Sequence, residues 1–435
     1  MHRHILAAVL LAASQAAPAA LTAPEQRMVA SVDAGTARDV ALLQRMVEIN
    51  SGTRNFAGVC AVADVMRGEL EPLGFQVRWV PMEAKTGRAG HLLATHGGSG
   101  KGRHMLLIGH LDTVFEKDSA FQKFTRSGDT VAGPGVNDMK GGLVIMLSAL
   151  RSMQSAGTLK AADIRIVLSG DEEAAGKPVE LARADMIEAG KWADAALEFE
   201  GLAQRDGSDV GSIARRGSIS WQIETTGTGG HSSGVFGKDV GFGANYELAR
   251  ILDAFRRDLR EPNLTYNVGL VLGGATVDTN AADAISGSAT GKANIIAEKA
   301  VATGDIRALS NDQAERIERK MQAIVAQSLP GTSAKIAFRE GYPAMPPTAG
   351  SRALLTALNG VNRDLSLPEM GELDPMQRGA GDIAFVAPYT SGLVGTGAAG
   401  NGAHSDKETT DLRSFPRQAK RAAILMSRLS TMPQP

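Results

Sequence analysis

Residues 105–142 constrain the fold more than any other stretch of the chain. Their apolar run, residues 105–108, ends at Gly109 and His110, and a short apolar run closed by glycine is typical of a buried strand in a parallel sheet. His110 then follows the carboxyl end of that strand, where open α/β sheets place their ligands. Asp138 comes later in a glycine-rich loop, directly before an apolar helical pattern. A histidine and a carboxylate at one rim of a sheet suggest a metal site.

Three further apolar runs are predicted strands, and each ends beside residues that can bind metal. Any one of these acids alone would be interpreted as a solvated loop residue. Several carboxylates at one sheet edge repel each other unless a cation holds them together, so the set predicts a metal centre. The runs are residues 164–168 before Glu172 and Glu173, residues 193–200 ending at Glu200, and residues 391–394 before the glycine-rich loop that contains His404.

Composition limits the classes of protein to consider. The chain has 435 residues, 43% of them hydrophobic, which is enough for one large domain or two. A net charge of -1 gives no reason to expect a nucleic acid or an anionic membrane as partner. Cys60 is the only cysteine, which excludes an internal disulfide and a cysteine-based metal cluster.

Residues 1–23 have the pattern of a secretory signal peptide. A basic start precedes an apolar core over residues 5–13, and small residues fill positions 14–23. The apolar core is too short to span a bilayer, although an uncleaved anchor is the alternative. We therefore expect a periplasmic or secreted protein that has no membrane partner once the signal is removed.

The domain organisation changes after residue 214. Between residues 219 and 339 the predicted order is β-α-β-β-α-β, the split βαβ arrangement of a ferredoxin-like α+β domain. We therefore predict an α/β catalytic domain with a central mixed sheet, built from residues 24–214 and 345–435. Residues 215–344 would form the inserted domain.

Five motifs, in this order, make the chain resemble the M20 family of metallopeptidases. The resemblance extends from about residue 24 to the C-terminus and is greatest to the glutamate carboxypeptidase and aminoacylase-like members. The second motif alone is no stronger a signal than a weak phosphate-binding loop, whereas the five together are specific. They are G-H-L-D-T-V, G-P-G-V-N-D-M-K-G-G, D-E-E, F-E-G and G-A-H-S-D-K-E.

The resemblance implies a centre with two zinc ions, for which Co²⁺ or Mn²⁺ can substitute. In the family pattern Asp138 bridges both ions. His110 and Glu200 would hold one ion, and Glu173 and His404 would hold the other. Imidazole and carboxylate groups are ordinary zinc ligands.

The resemblance also assigns roles to residues that do not bind metal. Asp112 would orient the ring of the nearby metal-binding histidine, and Glu172 would be the general base. His231 matches the inserted-domain histidine that relatives lend to the active site of a partner subunit. This implies a homodimer in which the inserted domain serves as dimerisation and lid domain. Asn294 and Arg307 are candidates for binding the substrate carboxylate.

Four points stay open at the level of sequence. Glu198 lies two residues before Glu200, on the same face of a strand, so Glu198 could be the ligand instead. Met139 stands where close relatives often carry a second aspartate that is not a ligand, so the geometry of the peptide bond between Asp138 and Met139 is open. His231 could be a loop histidine in solvent, and Arg307 could form a surface ion pair with a neighbouring aspartate.

We expect a dizinc hydrolase that cleaves an amide bond next to a free carboxylate, as glutamate-type carboxypeptidases do. The substrate would be a small peptide or an N-acyl amino acid. An N-acyl-amino-acid deacylase or a dipeptidase of the same family is the alternative. From a different class, a non-catalytic periplasmic binding protein could reuse the fold, but it would lack a ligand or the base, and none is missing.

Overall fold

The computed structural model describes residues 21–280 and 286–434. Most of the predicted signal peptide falls on residues 1–20, which lie outside the described residues. Thr22, inside the predicted signal segment, caps the first helix together with Glu25, and both hydrogen bonds of a capping box are present. Among the described residues, no helix is both long enough and apolar enough to cross a membrane.

Helices and strands are numbered here in chain order. The helices are α1 (Ala23–Val47), α2 (Phe56–Leu70), α3 (Glu83–Thr86), α4 (Lys140–Ala156), α5 (Val179–Ala182), α6 (Ala184–Trp192), α7 (Ala244–Asp258), α8 (Asn311–Val325), α9 (Ala349–Asp364) and α10 (Ser414–Leu429). The strands are β1 (Gln76–Pro81), β2 (Gly90–His96), β3 (Met105–His110), β4 (Thr125–Ser127), β5 (Thr130–Ala132), β6 (Ile164–Ser169), β7 (Ala195–Glu198), β8 (Ala203–Arg205), β9 (Ser208–Gly211), β10 (Ile219–Gly227), β11 (Thr265–Gly274), β12 (Thr276–Thr279), β13 (Gly287–Thr290), β14 (Lys299–Arg307), β15 (Thr332–Glu340), β16 (Gly371–Glu372), β17 (Ser391–Val394), β18 (Gly400–Asn401) and β19 (Thr409–Asp411).

A six-stranded mixed sheet, here called the central sheet, has the order β1-β2-β6-β3-β7-β17. β3 pairs in parallel with β6 and β7, and β17 pairs in parallel with β7, whereas β2 is antiparallel to β1 and β6. Every residue of β3 is buried, as expected for a parallel strand covered on both faces. The α/β fold with a mixed sheet is confirmed.

A second, antiparallel sheet, here called the inserted sheet, has the order β11-β14-β10-β15. Along the chain its elements follow as β10, α7, β11, β14, α8 and β15, with the β12–β13 hairpin as an addition that the sequence did not predict. Leu248, Ile251 and Phe255 repeat at helical spacing on α7 and pack with Trp221 of β10 in a separate apolar core. The dimerisation and lid roles of this unit, and its boundaries at residues 215 and 344, stay predictions.

Helices α1, α4 and α10 pack against one another over the central sheet. Local sequence explains several of their limits. The predicted helix over residues 59–73 begins earlier, at Phe56, because Asn55 accepts the N-cap hydrogen bond from Gly58. It ends at Leu70, and residues 71–73 continue as a 3₁₀ turn that contains Pro72.

Candidate metal centre and active site

The carboxyl ends of four parallel strands meet at one edge of the central sheet. His110, the last residue of β3, is paired with Ser169, the last residue of β6. Glu198 ends β7 and pairs with Val394, which ends β17. The segments that carry Glu172 and Glu173, Glu200 and His404 therefore all leave the sheet on the side where His110 lies.

Asp138 lies between two histidines that come from distant parts of the chain. Its Oδ1 is 3.0 Å from Nε2 of His110, and its Oδ2 is 3.1 Å from Nε2 of His404. Burial alone would raise the pKa of Asp138, but hydrogen bonds from the two histidines outweigh it and hold this pKa well below its usual range. The peptide bond between Asp138 and Met139 is cis.

Glu173 completes the cluster around Asp138. Its Oε2 lies 3.0 Å from Nε2 of His404, and its Oε1 is buried without a hydrogen-bond partner among the described residues. One ligand atom each from His110, Asp138 and Glu173 lie within 4.8 Å of one another. Hydrogen bonds to Asp138 and then to Glu173 raise the pKa of His404 to about 11. The carboxylates thus favour positive charge here, and the unpartnered oxygen of Glu173 fits a divalent cation.

Asp112 connects the ring of His110 to the segment that carries the two glutamates. Nδ1 of His110 lies 3.1 Å from the main-chain oxygen of Asp112 and 3.4 Å from its Oδ1. The same carboxylate accepts hydrogen bonds from the backbone N–H groups of Glu172 and Glu173, and a 2.6 Å bond from the hydroxyl of Thr53. Asp112 is therefore placed to fix the orientation of the imidazole.

Burial raises the pKa of Glu173, and it acts in the same direction on the neighbouring Glu172. Burial raises the pKa of its carboxyl group well above the usual range, and the Glu200 carboxylate adds to the rise, while His110 opposes it. A carboxylate with a raised pKa is better matched to accepting a proton from water near neutral pH.

The contacts of Glu198 and Glu200 separate the two ligand candidates. Both oxygens of Glu198 are occupied, because Oε1 accepts from the N–H of Ile383 and Oε2 accepts from Arg215 at 2.7 Å. Glu200 uses Oε2 to accept from the same guanidinium at 2.5 Å. Among the described residues, no hydrogen bond or ion pair involves Oε1 of Glu200. These contacts favour Glu200 over Glu198 as the metal ligand.

The two predicted substrate-binding residues are separated by β14, because Asn294 lies before the strand and Arg307 ends it. The N–H of Ser232, next to His231, donates a 2.9 Å hydrogen bond to the carbonyl oxygen of Asn294, which precedes β14. Arg307 is the last residue of β14, and a strand of this length spans about 26 Å. The structure therefore places His231 beside Asn294 but does not bring Asn294 and Arg307 together within one chain.

Arg307 and His231 both make local contacts in this structure. Nε of Arg307 lies 2.8 Å from Oδ2 of Asp305, the surface pair that the sequence left open. Nδ1 of His231 lies 2.8 Å from the hydroxyl oxygen of Ser233. Arg216 donates a 2.6 Å hydrogen bond to the hydroxyl of Thr265, which pairs with Arg307 across β11 and β14, so both arginines lie at this end of the inserted sheet. The ligand and substrate roles stay predictions.

Sequence reasoning missed residues that support the candidate site through hydrogen bonds and ion pairs without being ligand candidates. Glu408 accepts hydrogen bonds from the N–H groups of Gly135, Asn137 and Asp138. Its signal was available, because it ends the G-A-H-S-D-K-E motif. Arg215 in A-R-R-G and the fully buried Arg183 gave no local signal, since their acidic partners are set by the tertiary fold.

A central α/β sheet whose strand ends gather histidines and carboxylates defines a metal-dependent hydrolase. Residues 106–428 match the family described as peptidase family M20/M25/M40, and the chain belongs to this family of metallopeptidases. The match covers most of the chain, including every metal-ligand candidate.

Named relatives agree with this assignment. Carboxypeptidase G2 of Pseudomonas sp. (strain RS-16) is 27% identical over 439 residues, which cover 98% of this chain and 97% of that protein. Succinyl-diaminopimelate desuccinylase of Novosphingobium aromaticivorans is 33% identical over 198 residues, covering 44% of this chain and about half (51%) of that enzyme. The crystal structure of the Bacillus subtilis YXEP protein, described as a dinuclear metal-binding peptidase of the M20 family, superposes with a TM-score of 0.63 at 16% identity, over 91% of this chain and 98% of that one.

Proposed function

We propose that this protein is a two-zinc hydrolase that cleaves an amide bond next to a free carboxylate, as a carboxypeptidase does. The observation that carries the proposal is the position of Asp138, whose two oxygens each face a different histidine. A carboxylate with ligand-forming groups on both sides is suited to bridging two cations. The full-length similarity to carboxypeptidase G2 supports this reaction class.

In this proposal His110 and Glu200 hold one zinc ion, Glu173 and His404 hold the other, and Asp138 is shared. The buried, unpartnered Oε1 of Glu173 supports such a site. The bonding of Glu200 to Arg215 through Oε2 alone supports it as well. The donor set of imidazoles and carboxylates also accepts Co²⁺ or Mn²⁺, so the native metal is part of the test below. The description of the YXEP protein as dinuclear supports the number of ions.

When bound, zinc ions polarise a carbonyl group and lower the pKa of water toward neutrality. The residues of the chain do the rest. Glu172 accepts the proton that water loses and passes it to the leaving nitrogen. Asp112 holds the backbone of Glu172 and the ring of His110 in one arrangement, so little reorganisation is needed during the reaction.

The substrate carboxylate would bind at the end of the inserted sheet where Arg216 and Arg307 lie. Arg216 also donates to the carbonyl oxygen of Met376 at 3.2 Å. Two residues further along that loop, Nη1 of Arg378 lies 3.9 Å from Oε2 of Glu200. These contacts connect this end of the inserted sheet to Glu200, one of the proposed metal ligands. They support Arg307 as the group that binds the carboxylate, and its guanidinium can do so in a bidentate manner.

We also propose that the protein acts as a homodimer and is exported. His231 and Asn294 lie beyond the start of β14, whereas Arg307 is its last residue, so their participation in one site with Arg307 would be supplied by a second chain. Export rests on the signal-peptide pattern of residues 1–23.

A deacylase is the second candidate, because the desuccinylase relatives match the chain at higher identity over a shorter segment. A non-catalytic binding protein is the candidate from another class, and the presence of Glu172 at the proposed site speaks against it.

A hydrolysis screen tests these candidates together. The purified protein would be loaded in turn with zinc, cobalt and manganese and incubated with dipeptides, N-acyl amino acids and N-succinyl amines. The released amino acid or amine would be measured. We expect metal-dependent release of a C-terminal amino acid that a chelator abolishes. Release from N-acyl amino acids or N-succinyl amines, with none from dipeptides, would support the deacylase. Metal binding without release from any substrate would support the binding protein.

A further inference from the structure

The peptide backbone of Glu172 is held from both sides. Its N–H donates to Oδ1 of Asp112 at 3.1 Å. Its carbonyl oxygen accepts a 2.7 Å hydrogen bond from the hydroxyl of Tyr342, a residue 170 positions away in the sequence. The first anchor belongs to the catalytic part of the chain, whereas the second comes from the segment that follows the inserted sheet.

A buried ion network fixes the direction of the Tyr342 hydroxyl. Arg183, which is fully buried, donates from Nη2 to the oxygen of Tyr342 at 2.8 Å. Because guanidinium groups only donate hydrogen bonds, the hydroxyl proton is left for the Glu172 carbonyl. Arg183 is held in turn by Asp171 and Asp382, at 2.6 and 2.7 Å. Asp171 directly precedes Glu172, so the network contacts two consecutive residues of the turn that carries this glutamate.

Tyr342 also lies in one of the two connections between the catalytic part and the inserted sheet. Residues 341–345 lead out of β15, and residues 215–218 lead into β10. The two connections are hydrogen-bonded to each other, since the N–H of Ser218 donates to the carbonyl oxygen of Tyr342 and Arg215 pairs with Met345. Beside them is a cavity of about 660 Å³ that Tyr342 helps to line.

We propose that Tyr342 is a positioning residue that ties the orientation of Glu172 to the connection from the inserted sheet. The inference rests on the proposed function, in which Glu172 is the general base. A shift of the connection would move the Tyr342 hydroxyl, and the carbonyl oxygen of Glu172 would lose its second anchor. The loss would affect the proton-transfer step more than substrate binding, because the hydroxyl group of Tyr342 is bonded to the backbone of Glu172 and to Arg183.

The test compares Tyr342→Phe with Tyr266→Phe in the full-length, zinc-loaded protein. The hydroxyl of Tyr266 donates to the carbonyl oxygen of Phe255 at 2.8 Å, within the inserted unit. The control therefore loses the same kind of hydrogen bond away from Glu172. We expect Tyr342→Phe to lower kcat about tenfold while KM stays within about twofold, with metal content unchanged. The control should keep the wild-type kcat.

A second readout does not depend on activity. Amide hydrogen exchange of peptides that span residues 170–174 should be faster in Tyr342→Phe than in wild type or in Tyr266→Phe, because one anchor of this turn is gone. A wild-type kcat in Tyr342→Phe, unchanged exchange, or a loss of metal in proportion to activity would each overturn the proposal. A wild-type protein without hydrolytic activity would reject the proposed function and this inference together, whereas an active wild type with an indifferent Tyr342→Phe rejects this inference alone.

Discussion

Nε2 of His404 lies 3.1 Å from Oδ2 of Asp138, although 266 residues separate them in the sequence. The contact joins the loop before α4 to the loop between β18 and β19. Glu408 strengthens the same junction, because it follows His404 and accepts from the N–H of Asp138. The proposed metal centre therefore depends on the chain returning to the central sheet after the inserted sheet is complete.

The adjacent residues Glu172 and Glu173 should give opposite phenotypes. Glu172→Ala should retain metal and lose about a hundredfold or more of kcat, as expected for removal of a general base. Glu173→Ala should lose metal, because its carboxylate lies against His404 in the cluster. Metal analysis and kcat, measured on both variants, check the prediction. Exchanged phenotypes would mean that the roles are reversed.

Replacing Arg307 should weaken recognition of the substrate carboxylate. A charge-assisted hydrogen bond contributes about 1.5–3 kcal/mol, so Arg307→Ala should lower kcat/KM by roughly one to two orders of magnitude. The matched control is Arg319→Ala, which removes an exposed arginine that pairs with Glu315 on α8. The wild type should prefer a free-acid substrate to its amide, and Arg307→Ala should lose this preference. If both proteins have the same ratio of kcat/KM for the acid to kcat/KM for the amide, another residue binds the carboxylate, and Arg339 is the next candidate.

The homodimer can be tested by mixing two inactive variants, His231→Ala and Glu172→Ala. If His231 acts across the dimer, each mixed dimer contains one intact site, so random mixing should restore about a quarter of wild-type activity. A mixture of Glu172→Ala with Glu173→Ala is the control, because both changes disable the catalytic part of their own chain. Subunit exchange without recovery would argue against a shared site.

Glu408→Gln should weaken the metal centre without removing a ligand. The carboxylate of Glu408 accepts three backbone N–H bonds, and an amide oxygen cannot replace both oxygens as acceptor. We expect a loss of about 1–3 kcal/mol in the free energy of unfolding, together with weaker zinc binding in competition with a chelator. Glu372→Gln, which changes an exposed residue paired with Arg352, should leave both quantities unchanged. Wild-type zinc affinity in Glu408→Gln would contradict this role.

Local sequence signals predicted the strands and the residues at their ends. The glycine after residues 105–108 and the apolar run over residues 391–394 were sufficient, because β3 and β17 are buried strands whose composition differs sharply from the loops that follow. The choice between Glu198 and Glu200 could not be made in this way, since it depends on which oxygens Arg215 and the N–H of Ile383 occupy.

The hydrogen-bond network of Arg183 and Tyr342 could not be predicted from the sequence either, because it also depends on tertiary contacts. Arg183 and Tyr342 lie 159 residues apart, and neither stands in a motif that indicates its partner. Long-range pairs of this kind are decided by packing between units. The separation of Asn294 from Arg307 along β14 could not be predicted either, because the family resemblance made both residues candidates for binding the same carboxylate.

The metal content of Asp138→Ala tests the central claim most directly. Wild type and variant would be purified in parallel with Asp129→Ala, which changes an exposed aspartate in the β4–β5 hairpin, and zinc per chain would be measured by mass spectrometry. We predict about two equivalents of zinc in the wild type and in Asp129→Ala, and a loss at both sites in Asp138→Ala, because one carboxylate serves both ions. Two full equivalents of zinc in a folded Asp138→Ala protein would contradict the account.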